Sequence, residues 1–265
     1  MQKVKPDTAK SYVNAIRSFH LENNLPVTAF NDPRVDLVIR GGKRVYGVKG
    51  KRFRLPLTAP LLLRILNEIT DDEEGINVRT ALCLAFAGFL RSGEFTWNTW
   101  SLEHHRFHLA RTHVQFNLDH SVILTLPLSK IDQYRIGAAI PIASSPDPSP
   151  LCPVQALRRL YSLYPRPSTS PLFSCPYGQP FTKQFLVAKI RELLLQAGIP
   201  SLGFSSHSIR KGAAVTAAMN GISRDDIKLL GRWKSDAVDN YLDSLNQSEN
   251  ISNLLQLNAQ LHRFH

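Results

Sequence analysis

One stretch limits what this chain can become more than any other: residues 205–242. It begins Ser-Ser-His-Ser-Ile-Arg-Lys-Gly-Ala-Ala and ends Leu-Leu-Gly-Arg-Trp-Lys-Ser-Asp-Ala-Val-Asp-Asn-Tyr-Leu. The Ala-rich, apolar run from Ser206 to Asn220 predicts a helix, with Gly221 where a C-cap falls. On it His207 and Arg210 are three apart and project as neighbours. Ser223 opens a second helix, with Asp226 as its capping-box partner, ending near Gly231. Ser235 can cap a third, which carries Tyr241 in its second turn. Short helices and tight turns thus let His207, Arg210, Arg232, Trp233 and Tyr241 converge.

Such a group suits a phosphodiester. A guanidinium fork matches two phosphate oxygens, and a phenol can attack phosphorus to give a covalent phosphotyrosine. The transition state gains negative charge, and one Arg at about 4 Å contributes on the order of 4 kcal/mol at an intermediate dielectric. More fixed cations are therefore expected elsewhere. Two stand out. Arg91 follows the apolar run 76–90, with Glu94 three residues on to orient it. Lys130 lies in Leu-Pro-Leu-Ser-Lys-Ile-Asp-Gln, between two strand-like runs. Each has a plainer reading: a buried Arg–Glu pair, a solvated hairpin Lys, and, for Tyr241, a core-facing aromatic.

The order Arg91, Lys130, His207-x-x-Arg210, Trp233, Tyr241 resembles the signature of the tyrosine recombinase (phage integrase-like) family. The wording Ser-Lys-Ile-Asp-Gln and Gly-Arg-Trp-Lys-Ser-Asp-Ala is most similar to Crypton- and DIRS-type recombinases of eukaryotic mobile elements. The resemblance spans about Pro56 to Leu245. It implies a mainly α fold with a small antiparallel β-sheet: a catalytic domain over residues 55–265, preceded by a truncated helical core-binding domain and linker over 1–54. It implies that Tyr241 attacks the scissile phosphate, that Arg91 and Arg210 clamp the non-bridging oxygens, that Lys130 is the general acid for the leaving 5′ oxygen, and that His207 aids proton movement at the nucleophile. Glu94 and Arg232 support them. The family's His or Trp lies nine residues before the Tyr. That position is Arg232, and Trp233 is one later, so a one-residue shift in the turn is needed to give Trp233 the role. No metal or cofactor is implied. The partners implied are double-stranded DNA and other copies of the chain, as a tetramer on two DNA sites, in the nucleus if the source is eukaryotic, as the resemblance implies, and otherwise in the cytoplasm, never secreted. Two alternatives share these residues: a type IB topoisomerase-like nicking–closing enzyme, and a catalytically silent, domesticated DNA-binding protein.

Charge points the same way. The chain carries +11, and residues 1–54 hold twelve Lys/Arg against four Asp/Glu, leaving +3 for the other 211. Residues 40–54 contain seven basic and no acidic residues: Arg40, Lys43, Arg44, Lys49, Lys51, Arg52 and Arg54. With Gly41-Gly42 expected to stop the preceding helix, this reads as an open linker tracking a phosphate backbone. Attraction to anionic lipid is disfavoured, since no amphipathic helix with a broad apolar face accompanies the charges. No apolar run is long enough to span a membrane, and the first residues lack the apolar core of a signal peptide. Three widely spaced cysteines, Cys83, Cys152 and Cys175, argue against a disulfide framework.

Elsewhere, Asp7–Leu25 and a segment opened by Pro33 read as helices, the first with an apolar stripe of Tyr12, Val13, Ile16, Phe19 and His20. Asp71 to Gly75 reads as an acidic surface loop. Strand-like runs cover 112–118, 122–126 and 138–142, and helices cover 154–163, 182–197 and 250–261. Of the crowd His104, His105, His108, His113 and His120, the first and third have helical metal spacing, but nothing completes a ligand set, so surface or strand-edge positions are expected.

Overall fold

A computed structural model describes residues 4, 6–46, 54–101, 104–127, 137–145 and 147–239. The chain divides into two compact units, Met1–Phe53 and Arg54–His265.

The first unit contains α1 (Pro6–Glu22), a 3₁₀ turn (Thr28–Asn31) and α2 (Pro33–Tyr46). None of its described residues is buried. Two helices enclose too little volume for a core, so the stripe of Tyr12, Ile16 and Phe19 is exposed instead of buried. The expectation that Gly41-Gly42 ends α2 is wrong. The helix runs through both glycines, and a Cβ added at Gly42 would meet Pro6 Cγ at an ordinary contact distance of 3.6 Å. Arg40, Lys43 and Arg44 therefore stand on a helix and not on an open tether. Lys49, Lys51 and Arg52 lie outside the described residues.

The second unit is built round α4 (Glu73–Ala87), whose Val78, Ala81, Leu82, Cys83, Leu84 and Ala85 are all buried. A helix apolar on every side must be surrounded, and α4 packs against α7 (Pro153–Leu163) and α9 (Ser208–Met219). The acidic segment before it is no loop: Asp72 caps α4 by accepting from the Gly75 amide at 2.7 Å, and Glu73 and Glu74 occupy the first turn, where the helix dipole favours carboxylates. Around this centre lie α3 (Ala59–Asn67), the short α5 (Ser92–Phe95) and α6 (His104–Phe107), α8 (Lys183–Gln196) and α10 (Arg224–Leu230). Thr182 caps α8 and Ser223 caps α10 by accepting from the Asp226 amide, while the Ser223 hydroxyl donates to the Asp226 carboxylate, a side-chain pair where the spacing predicts a capping box.

A three-stranded antiparallel sheet is ordered β1 (Val114–Phe116), β2 (Val122–Leu126), β3 (Ala138–Ile142). Its register pairs Val114 with Leu124, and Leu124 with Ile140. Val122, Leu124, Leu126, Ile140 and Ile142 form the buried face, as the period of two requires. Lys130 belongs to the β2–β3 connection and lies outside the described residues.

The histidine cluster differs from expectation. His104 is fully buried, stacked on Trp100 (5.3 Å) and His108 (4.7 Å), and met edge-on by Trp97 at 5.0 Å. Neither of its ring nitrogens has a hydrogen-bond partner. Burial above all, then the neighbouring His108, His105 and His113, pushes its pKa down to about 4. Among the described residues no three metal-ligating side chains cluster, and no helix is long and apolar enough to cross a membrane. All three cysteines are free.

Candidate active site

Where α4 ends, the backbone turns sharply at Phe89, which takes a positive φ of 48° without being glycine. Arg91 then caps α5. Its amide donates to Glu94 Oε2 (2.7 Å) and its Nη1 to Glu94 Oε1 (2.8 Å). The Glu94 side chain is 5% exposed and that of Arg91 27%, so the carboxylate is interior and the guanidinium opens to solvent.

The second contribution comes from α9. Arg210 is 2% exposed, and it donates through Nη1 to the Phe89 carbonyl and through Nη2 to the Gly231 carbonyl. Its guanidinium carbon lies 4.1 Å from the centroid of the Trp233 ring, a cation–π stack on a desolvated group. Trp233 in turn meets Phe89 edge-on, with centroids 6.1 Å apart. A Cβ on Gly231 would fall 1.6 Å from the Trp233 ring, so only glycine leaves room for this stack.

The third contribution is the turn after α10. Arg232 has a positive φ of 56°, which costs a non-glycine residue on the order of 1–2 kcal/mol. The turn aims the Gly231 carbonyl at Arg210 and sends the Arg232 side chain back to the α4–α5 turn. There Nη1 donates to the Gly88 carbonyl (2.9 Å) and Nη2 to Glu94 Oε2 (3.1 Å). The two loops, 88–94 and 231–233, are thus laced together by Arg210 and Arg232 and closed by the Phe89–Trp233 contact.

His207 stands one residue before α9 and is half-buried. Burial, then the charges of Arg54, Lys183, Arg210 and Arg91, hold its pKa below the usual imidazole value, leaving it neutral and able to accept a proton at neutral pH. Sequence reasoning missed Lys183, one of the surrounding cations. Lys183 opens α8, where only the capping Thr182 hinted at a helix end. Lys211 is buried in the Ala-rich α9, and its Nζ donates to the Arg54 carbonyl at 3.0 Å. Arg54, read as linker, is instead the first residue of the second unit. Its neighbours are bound to the helix region, with Leu55 N donating to Gly203 O and Leu57 N to Ser208 O.

The chain therefore gathers Arg91, Glu94, His207, Arg210, Arg232 and Trp233 at one place. Tyr241 lies outside the described residues. In the segment before it, Arg224 grips Asp236 and Asp239, and Lys228 also reaches Asp236.

The chain is similar in fold to solved structures of recombinases. XerH site-specific recombinase, in a post-cleavage complex with palindromic difH substrate, matches at TM-score 0.54 and 14% identity over 78% of this chain and 55% of that one. Its pre-cleavage complex on difH matches at TM-score 0.51 and 13% identity over 90% and 66%. XerA recombinase matches at TM-score 0.54 and 15% identity over 96% and 82%. The fold is that of a tyrosine recombinase catalytic domain. The chain spans just over half the length of the XerH chain in the post-cleavage complex. No family model matches the sequence, and no curated protein matches it.

Proposed function

We propose that this protein breaks and rejoins DNA at specific sites through a 3′-phosphotyrosine on Tyr241. The observation that carries the reading is the convergence of Arg91, Arg210, Arg232 and neutral His207, four residues spread over 142 positions of chain, in a fold shared with recombinases. In this reading Arg91 presents its guanidinium to a non-bridging phosphate oxygen. Arg210 adds a buried positive charge that no solvent screens. His207 takes the proton of the Tyr241 hydroxyl as its oxygen bonds to phosphorus, and Lys130 gives a proton to the departing 5′ oxygen. The bond from phosphorus to the Tyr241 oxygen replaces the bond from phosphorus to the 5′ oxygen, so the energy of the phosphodiester is kept for rejoining.

The basic helix α2 and the segment to Arg54, as a core-binding domain and linker, supply sequence-independent contacts to the phosphate backbone of double-stranded DNA. The wording of the motifs supports a mobile-element recombinase of Crypton or DIRS type, acting in the nucleus as a tetramer on two sites.

The test uses a duplex selected by the protein from a random-sequence pool and nicked beside the cleavage position, so that the short fragment bearing the free 5′ hydroxyl diffuses away. Wild type is expected to accumulate a covalent adduct, and Tyr241→Phe none. Binding without any adduct would leave a silent DNA-binding protein. Relaxation of any supercoiled plasmid would favour a topoisomerase.

A further inference from the structure

Glu94 has two guanidinium partners where one would suffice. Its Oε1 accepts from Arg91, and its Oε2 accepts from the Arg91 amide and from Arg232. The carboxylate is 5% exposed, so its charge is poorly screened. Paired with Arg91 alone, it would cancel the positive charge that an anion needs. Arg232 changes that sum: one buried carboxylate faces two guanidinium groups, and the pair becomes a triad of net +1. Arg232 is fixed from the other side by the Gly88 carbonyl, and its side chain is 21% exposed. Among the described residues, the Arg91 side chain makes a single hydrogen bond, from Nη1, to the shared carboxylate. Its side chain is 27% exposed, which leaves its remaining donors accessible from solvent.

We infer that Arg232 is a positioning residue: it neutralises Glu94 so that Arg91 keeps both its direction and its charge for the phosphate, while Trp233 does the corresponding work for Arg210. The two residues of the turn thus divide one task, and Arg232 does not itself touch the substrate. This rests on the proposed cleavage reaction for its kinetic consequence and on geometry alone for its structural one.

The test is a double-mutant cycle with the intact chain on the selected duplex. Arg232→Gln is expected to slow covalent-adduct formation about 100-fold, with duplex affinity within threefold of wild type. Arg232→Lys, which restores the charge, is expected to recover to within tenfold of wild type. Arg91→Ala combined with Arg232→Gln is expected to be no slower than Arg91→Ala alone, because Arg232 acts through Arg91. Rate losses that multiply would overturn the inference and make Arg232 a direct phosphate ligand. Equal losses for Gln and Lys would also overturn it, since charge would then be irrelevant. A crystal structure of the Arg232→Gln protein decides independently of activity. Displacement of the Arg91 guanidinium, or its collapse into a closed two-point pair with Glu94, supports the inference, and an unmoved Arg91 refutes it. If wild type forms no adduct, the cleavage reading fails while that structure still judges the positioning.

Discussion

Gly231 shows how much of the site depends on single atoms. Its φ is ordinary, so a side chain there meets no backbone penalty, yet a Cβ would fall 1.6 Å from the Trp233 ring. Gly231→Ala is therefore expected to push the indole off Arg210. Overpacking of this kind costs about 1–3 kcal/mol, and adduct formation should fall further than stability does. Thermal unfolding and cleavage rates on the same variant check this, and full activity would show that the stack is dispensable. The order of charged residues made Arg91, Glu94, His207 and Arg210 legible in the sequence, because the chemistry of a phosphodiester demands such groups. The choice between Arg232 and Trp233 was not legible. It depends on a positive φ at Arg232, which no spacing rule predicts, and the resulting turn gives both side chains work. Lys183 was hidden for a different reason: a lone Lys on a helix is usually solvated, and only tertiary packing brings its charge near His207.

At the scale of elements, periodicity and caps located most helices to within a few residues, and alternation gave β2 and β3 their full extent. The errors have physical causes. Acidic residues beside an apolar run mimic a loop, but they also suit a helix N-terminus, and Asp72 uses them that way. Gly41-Gly42 mimics a stop, but glycine weakens a helix without forbidding it, and α2 continues through both residues. Another glycine, Gly212, permits a close backbone approach from inside α9. A Cβ there would lie 1.8 Å from the Leu57 carbonyl, against which α9 is held by the Leu57–Ser208 and Ala59–Thr216 hydrogen bonds. Gly212→Ala must move the helix that carries Arg210 away from the segment after Arg54. It is expected to lower stability by about 2–3 kcal/mol, as measured by denaturant unfolding. A neutral result would show that this approach can relax at no cost.

Across the whole molecule, buried histidines set a pH response. His104 has an unfolded-state pKa near 6.5 and a folded one of about 4, so the folded state binds fewer protons between those values. Its contribution is complete above pH 6.5 and is lost as pH falls toward 4. The loss amounts to about 3 kcal/mol across that window, and the lowered His108, His113 and His207 add to it in the same direction. His104→Phe keeps a ring for Trp97 and Trp100 but cannot titrate. It is expected to flatten the decline, read as unfolding free energy at pH 7 and pH 4.5, and an equally steep decline would place the cause elsewhere. The reading of the whole chain as a DNA-cleaving enzyme rests on one covalent bond. The direct measurement is proteolysis of the trapped protein–DNA adduct, followed by mass spectrometry of the nucleotide-bearing peptide. The account predicts a phosphodiester on Tyr241 and on none of the other six tyrosines. A nucleotide attached to any other residue, or no attachment while the selected duplex is bound tightly, would contradict it.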